Sequence, residues 1–114
     1  NYLKGNNVKK ECKIRISGGN LDEIKSIIDS GNPLMCSTML TTSGHYISII
    51  GYDDTNFIVH DPFGLFSFTS NTYVKIGGKH GEAVKYPIDK LSVAMERSSR
   101  VATGNPGFRY LWIE

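Results

Sequence analysis

Residues 44–64 read GHYISIIGYDDTNFIVHDPFG, and this stretch predicts a β-hairpin. The segment from His45 to Tyr52 is rich in β-branched and aromatic residues, which favour strands. The polar run Asp53 to Asn56 predicts the turn, and Phe57 to His60 predicts the returning strand. Because the proline that follows cannot donate to a strand ladder, Asp61 should lie where the second strand ends.

A strand and a short helix are predicted upstream of the hairpin. The segment Cys12 to Ser17 alternates apolar and polar residues, as a half-buried strand does. Asn20 can cap a helix, with Glu23 three residues later as its reciprocal partner. Gly31 and Pro33 mark the end of this helix. Its apolar face would consist of Leu21, Ile24, Ile27 and Ile28.

The fold class that these elements predict is α+β, with a short helix packed on an antiparallel sheet. Leu34 to Leu40 is a further predicted strand, joined to the hairpin by a turn at Thr41 to Gly44. Phe108 to Ile113 predicts a strand at the end of the chain. Between the hairpin and this last strand the pattern is weaker. It predicts strands at Tyr73 to Ile76 and Ala83 to Tyr86, a loop at Gly77 to Gly81, one helical turn at Pro87 to Leu91, a strand at Val93 to Glu96 and a loop at Ser98 to Gly107.

Composition limits the classes of function. The 114 residues fit one domain, 1–114, and a net charge of +2 without a long basic run argues against nucleic-acid binding. The longest apolar run, Tyr46 to Ile50, is too short to span a bilayer, so a soluble protein is expected. Two cysteines without CxxC spacing and three scattered histidines predict no metal site, and no cofactor motif is found. A disulfide between Cys12 and Cys36 stays open.

His45 and Asp61 are the candidate catalytic residues. An imidazole can take a proton from a thiol and hold it, provided that a second group orients the ring. The ordinary alternative is a strand histidine and an Asp that opens a turn. A four-residue turn pairing Tyr52 with Phe57 would place His45 and Asp61 on opposite faces, whereas a bulge or an odd-length loop would place them on the same face. The sequence leaves both arrangements open.

Other side chains near the hairpin have ordinary interpretations. His60 should point to the opposite side of its strand from Asp61, where it packs or faces solvent. His80 lies in a Gly-rich loop, which favours a solvated side chain over a ligand. The aromatic residues after Asp61 can line a groove or pack in the core, and core packing is the commoner fate. They are Phe63, Phe66 and Phe68.

His45, the pair Gly51 and Tyr52, Asp61 and Gly64 together resemble the histidine strand and the Asn/Asp turn of papain-like cysteine peptidases. The segments GHYISIIGYDD and IVHDPFG, with SGNPLMCSTML before them, are closest to the C39-like branch. This resemblance covers about residues 20–64. It implies a papain-like fold, His45 as general base, Asp61 as its orienter and a peptide bond as substrate. Substrates in that group include peptidoglycan cross-links, cleaved by secreted or phage-associated lysins, and double-glycine leader peptides.

The nucleophile of that family does not match this chain. The family's cysteine begins a helix well before the histidine and follows a glutamine, whereas Cys12 lies in a predicted strand and the chain contains no Gln. Cys36 lies in the predicted strand beside the histidine strand, where a buried thiol is the ordinary expectation. We therefore expect the chain to be the C-terminal portion of a C39-like domain, truncated or incomplete. Its thiolate would come from an N-terminal fragment or a second chain.

Two alternatives stay open. The chain can be a non-catalytic papain-like module that binds a peptide or protein partner, or a structural α+β domain in which the spacing of His45 and Asp61 is a coincidence. An incomplete peptidase should expose an apolar surface where the cysteine helix is lacking. A self-sufficient binding module should not.

Overall fold

The computed structural model describes residues 10–114, and strands dominate it. The elements follow in the order β1 (Cys12–Gly19), α1 (Leu21–Asp29), β2 (Leu34–Thr38), β3 (His45–Tyr52), β4 (Asn56–His60), β5 (Gly64–Ser67), β6 (Thr72–Ile76), a 3-10 turn (Gly78–Gly81), β7 (Val84–Pro87), α2 (Ile88–Thr103) and β8 (Phe108–Ile113).

Six of the strands form one antiparallel sheet in the order β1-β8-β2-β3-β4-β7, and β5 pairs with β6 in a separate two-stranded sheet. The predicted α+β class with an antiparallel sheet is confirmed. The first hairpin strand and the strand at the end of the chain have the predicted bounds, and the returning hairpin strand begins one residue before its predicted start, at Asn56. The predicted strand at Leu34 to Leu40 ends two residues early, at Thr38. The papain-like topology stays a prediction.

Helix α1 begins as its sequence predicts, although its cap is only half of a capping box. The side chain of Asn20 accepts a hydrogen bond from the amide of Glu23 at 2.8 Å. Glu23 does not return the bond. Its carboxylate instead accepts from the guanidinium of Arg15 and from the hydroxyl of Tyr110, which ties α1 to β1 and β8. Ile24 and Ile27 are the side chains that α1 buries against the sheet.

Helix α2 corrects three predictions for the end of the chain. One helix runs through Ile88–Thr103. The predicted turn at Pro87 to Leu91 is helical from Ile88 but too short, the predicted strand at Val93 to Glu96 is wrong, and the predicted loop at Ser98 to Gly107 begins only after Thr103. Its buried residues recur at helical spacing and are Leu91, Ala94, Met95, Ser98 and Ser99. Small and polar residues make up much of this face, which is why the apolar pattern is faint. Burial of a side chain as large as Leu91 stabilises the fold by about 2 kcal/mol.

A β-bulge in β3 decides which side chains share a face with His45. Tyr52 pairs with Phe57 as a four-residue turn requires, but Ile49 pairs with Val59, so Ile50 is an extra residue in the ladder. Residues of β3 before the bulge therefore lie on the opposite face from the one that a regular ladder with this turn would give them. Asp61, two residues after the buried Val59, is therefore on the same face as His45.

The two faces of the six-stranded sheet differ. Both helices contact the sheet from one side, and the buried core lies between them and that side. We call the opposite side the outer face. The register across β1, β8 and β2 aligns Ile14, Leu111 and Met35 there, and Ile14 is 61 % exposed. Neither α1 nor α2 is long and apolar enough to cross a membrane, and no other helix in residues 10–114 is either.

Candidate active site

His45 opens β3 at the end of a tight turn. Gly44 before it has φ +68°, a backbone conformation that glycine adopts without strain. Thr38 pairs with His45 across the ladder, and its hydroxyl donates to the His45 carbonyl at 3.0 Å. The backbone of His45 is thus fixed by a buried neighbour. Its side chain is 21 % exposed, so the ring is partly open to solvent.

Asp61 follows the last residue of β4 and is buried. Its amide donates to the carbonyl of Gly81 at 2.8 Å, which ties it to the 3-10 turn. The amide of Phe63 donates to Asp61 Oδ1 at 3.0 Å, in the Asx turn that an Asp-Pro pair favours. The carboxylate therefore has a fixed orientation and points into the protein.

The structure brings His45 and Asp61 together through a tyrosine. His45 Nε2 lies 3.6 Å from Asp61 Oδ1, beyond an ordinary hydrogen bond. The hydroxyl of Tyr73, from β6, is 2.5 Å from His45 Nε2 and 2.7 Å from Asp61 Oδ2. Tyr86, from β7, donates to the same Asp61 Oδ2 at 2.7 Å and accepts from the amide of Phe66 at 3.0 Å. Four strands of two sheets thus meet at one carboxylate.

The electrostatics of the cluster favour an ionised Asp61. Burial alone would raise the pKa of Asp61, but the nearby imidazole of His45 and the hydrogen bonds from Tyr73, Tyr86 and the Phe63 amide together outweigh it and hold the pKa below its usual range. Burial, and then the neighbouring carboxylate, raise the pKa of Tyr73 and of Tyr86. Both phenols therefore remain neutral hydrogen-bond donors, and the negative charge resides on Asp61.

The other side of the His45 ring is open. Within residues 10–114, no hydrogen bond engages His45 Nδ1, while Nε2 is occupied by Tyr73. The ring of Phe63 lies 6.2 Å from that of His45, centroid to centroid, and 4.6 Å from that of Tyr73, and Phe63 is 52 % exposed. The imidazole is thus held at one nitrogen and available at the other.

Neither cysteine is placed to serve as nucleophile for His45. Cys12 is exposed on the outer face of β1, three strands from β3, which is about 14 Å at the usual strand spacing. Cys36 is closer, because it lies on β2 two residues from the partner of His45 and on the same face. Its thiol is completely buried, and burial raises its pKa, which disfavours the thiolate. Both thiols are free, so the disulfide alternative is not realised.

The remaining candidates take ordinary positions. His60 lies on the outer face, as predicted, and its Nδ1 accepts from the amide of Ala83 at 2.9 Å. His80 lies in the 3-10 turn that occupies the predicted loop. Over the residues that the structure describes, no three His, Cys, Asp or Glu side chains come together as a metal site would require.

The aromatic residues after Asp61 divide between the two predicted fates. Phe66 is buried, and Phe68 packs against it with ring centroids 4.9 Å apart. Both rings also line a cavity of about 290 Å³ between α2 and the β5–β6 sheet. Phe63 does not line it and stays exposed beside His45.

Sequence reasoning missed Tyr73 and Tyr86. Both fall in segments that the sequence predicts as strands, and both face the buried side of those strands. The alternation around Tyr73 gives a misleading signal, because its apolar neighbours Val74 and Ile76 are exposed while the tyrosine faces Asp61. A buried carboxylate needs donors, so two strand tyrosines downstream of Asp61 were the available signal.

Comparison with known proteins identifies the family of the chain. No curated protein and no solved structure matches the chain. A family model does match, the Peptidase_C39 like family, over residues 1–87. The matched range includes His45, Asp61, Tyr73 and Tyr86, and it ends where α2 begins. The match covers most of the chain, and the chain therefore belongs to the Peptidase_C39 like family.

Proposed function

We propose that residues 1–114 are the C-terminal, His/Asp-bearing portion of a C39-like cysteine peptidase domain, and that His45 is its general base. The observation that carries the proposal is the cluster in which Tyr73 joins His45 Nε2 to the buried carboxylate of Asp61. A histidine held at one nitrogen and free at the other is what proton transfer from a thiol requires. Membership of the Peptidase_C39 like family supports the same reaction class.

The proposed reaction is acyl transfer. A thiol gives its proton to His45 Nδ1, and the thiolate attacks the carbonyl carbon of the scissile peptide bond. His45 then passes that proton to the leaving amine as the C–N bond breaks, which leaves a thioester. Water, deprotonated by His45, hydrolyses the thioester and restores the thiol. Asp61 stabilises the imidazolium that exists between these transfers.

The thiol in this proposal comes from a segment or chain beyond the 114 residues. Cys12 is remote from His45, and Cys36 is buried with a raised pKa. Exposed apolar residues support an incomplete domain, because they offer surfaces for a further element to cover. Ile14 and Ile16 are each more than 60 % exposed on the outer face, and Phe63 is 52 % exposed beside His45.

The proposed substrate is a peptide, from a peptidoglycan cross-link or from a double-glycine leader. Both are extended chains that would pass along the open side of His45, beside Phe63. The first substrate would place the protein outside the cell or on a phage particle, and the second would place it at a secretion system. Assay of both peptides separates these two possibilities.

The test uses the intact gene product, sequenced to find whether a cysteine begins a helix before Asn1. We expect that protein to cleave one of the two peptides. His45→Ala should lower kcat/KM by about 10⁴-fold or more, as the loss of a general base does in such enzymes. His60→Ala is the matched control, because this histidine adjoins Asp61 in sequence but lies on the outer face. It should retain activity.

Two cysteine variants decide the origin of the thiol. Cys12→Ala and Cys36→Ala in the same protein should keep their activity, whereas alteration of the upstream cysteine should abolish it. Loss of activity in either of the first two, with the fold intact, would overturn the proposal of an external thiol. An intact gene product that holds no further cysteine and cleaves neither peptide would overturn the peptidase proposal.

The position of the two cysteines favours one second candidate, a non-catalytic module that binds a peptide or protein. In that case the exposed surface beside His45 and Phe63 would bind a peptide without cleaving it. Titration of the same two peptides into the chain, followed by mass spectrometry, distinguishes the candidates. Binding with the peptide recovered intact from a protein that lacks any further thiol would favour the module.

A further inference from the structure

We infer that Tyr73 is a positioning residue that links His45 to Asp61 and selects the imidazole tautomer with its proton on Nε2. The inference rests on the proposed function only in explaining why this tautomer would be useful. The position of the proton on the His45 ring does not depend on that function. A direct hydrogen bond between His45 and Asp61 would make Tyr73 unnecessary. However, His45 Nε2 lies 3.6 Å from Asp61 Oδ1, and its hydrogen-bond partner is the hydroxyl of Tyr73.

The count of protons fixes the direction of each bond. Asp61 is ionised and can only accept. The Tyr73 hydroxyl lies 2.7 Å from Oδ2 and must donate its single proton there, so towards His45 its oxygen can only accept. His45 Nε2 must therefore carry a proton. In the neutral ring, Nδ1 is then the unprotonated nitrogen, which is the one that faces no described partner.

Tyr86 holds the bridge in place. It has one hydroxyl proton and accepts the amide proton of Phe66, so its own proton goes to Asp61 Oδ2 at 2.7 Å in preference to the Gly64 carbonyl at 3.3 Å. With Phe63 donating to Oδ1, the carboxylate is fixed from both sides and cannot rotate to reach the imidazole directly. The Tyr73 hydroxyl thus lies between the imidazole of His45 and the carboxylate of Asp61 and hydrogen-bonds to both.

The experiment records the ring nitrogens of histidine by NMR in the 114-residue chain, at a pH where the imidazole is neutral. The chain has three histidines, and His45→Gln identifies the signals of His45. We expect the Nε2–H tautomer, with its proton protected from exchange. Tyr73→Phe should move the tautomer ratio towards Nδ1–H by roughly fivefold, the size of one net hydrogen bond, and should expose the Nε2 proton.

Two control variants separate positioning from general loosening of the structure. Tyr46→Phe alters the residue next to His45. Tyr46 is 52 % exposed and its hydroxyl makes no hydrogen bond within residues 10–114, so this variant should leave the tautomer ratio of His45 unchanged. Tyr86→Phe removes one donor to Asp61 but keeps the Tyr73 hydroxyl, so it should shift the tautomer ratio less than Tyr73→Phe does. A wild-type ring protonated on Nδ1 would overturn the inference. So would a Tyr73→Phe spectrum identical to wild type, or an equal shift in Tyr86→Phe.

The outcome does not depend on the proposed peptidase activity, because no thiol and no substrate are present in the measurement. An Nε2–H tautomer that Tyr73→Phe disturbs would stand even if the intact gene product cleaved neither peptide. Conversely, an active peptidase whose Tyr73→Phe spectrum is unchanged would refute the positioning role and leave the proposed function intact.

Discussion

The two hairpins that build the site differ in how they are held. The β3–β4 hairpin lies inside the six-stranded sheet, with β2 and β7 paired on either side. The β5–β6 hairpin forms a sheet of its own, and isolated two-stranded hairpins are marginally stable in water. The first carries His45 and leads into Asp61, and the second carries Tyr73. The proposed base therefore lies on a hairpin that is paired with strands on both sides. Its positioning residue lies on a hairpin that has no further strand beside it.

The Asp61 carboxylate and its backbone join the two hairpins. Tyr73 from β6 and Tyr86 from β7 converge on Oδ2, and the carbonyl of Asp61 accepts from the amide of Gly64, the first residue of β5. Changes around Asp61 should therefore affect the β5–β6 hairpin more than the β3–β4 hairpin. Global unfolding and local opening of the strands both measure that difference.

The largest effect is expected from Gly81→Ala. A Cβ at Gly81 would lie 1.9 Å from the carbonyl oxygen of Asp61 and 2.7 Å from that of Gly64, and both are backbone atoms that cannot rotate away. The 3-10 turn must then separate from Asp61. We expect the free energy of unfolding to fall by about 3 kcal/mol or more, measured by urea denaturation.

Gly78→Ala is the matched control in the same turn. The nearest atom to a Cβ there is the Pro62 carbonyl oxygen at 3.7 Å, an ordinary contact. It should change the free energy of unfolding by about 0.5 kcal/mol or less. Equal losses in the two variants would show that the turn itself, and not its contact with Asp61, determines stability.

Tyr86→Phe should have the next largest effect. Its hydroxyl is buried, donates to Asp61 and accepts from Phe66, so its removal leaves a buried amide without its partner. We expect the free energy of unfolding to fall by about 1–3 kcal/mol. Hydrogen exchange should show faster opening of β5 and β6 than of β3, because the Phe66 amide belongs to the β5–β6 hairpin.

Tyr52→Phe controls for the loss of a phenol that donates to a carboxylate. The Tyr52 hydroxyl donates to Asp29 at 2.7 Å, the same distance as in the Tyr86 bond, but on the surface. Its loss should cost about 0.5 kcal/mol or less. If Tyr52→Phe destabilised the chain as much as Tyr86→Phe, burial would not be what gives the Asp61 cluster its strength.

How far the sequence predicts this arrangement differs between the hairpins for a physical reason. His45 to Tyr52 is a strand rich in β-branched and aromatic residues, and its predicted bounds are those of β3. The bulge at Ile50 has no such local signal, so the sequence leaves open which face Asp61 takes. Tyr73 lies in a predicted strand, but its partner is set by tertiary packing between two sheets, which periodicity does not encode.

Helix α2 shows the same limit from the other direction. Its start carries no capping side chain, because Pro87 precedes Ile88 and makes no cap bond. Its buried face includes Ser98 and Ser99, which a hydrophobic pattern does not count. In the sequence, Gly104 indicates the end of the helix, because glycine readily adopts the left-handed conformation that this residue has in the structure.

The pH dependence of stability should carry a smaller signature of Asp61. Its pKa is lower in the folded chain than in the unfolded one, so the ionised form contributes stability in full above about pH 4. That contribution is lost as the pH falls through the folded pKa. The stability difference between wild type and Asp61→Asn should therefore shrink as the pH falls below about 4. Asp54→Asn, an exposed change, should show no such trend.

The smallest effect is expected from Cys12→Ser, which touches neither hairpin. Cys12 is exposed at the start of β1 and faces away from the core, so its loss should change the free energy of unfolding by about 0.5 kcal/mol or less. The NMR signals of His45 should not move either, because two strands, β8 and β2, lie between β1 and β3. A shift of those signals would mean that the edge of the sheet influences His45, and the position of the base would no longer depend on the two hairpins alone.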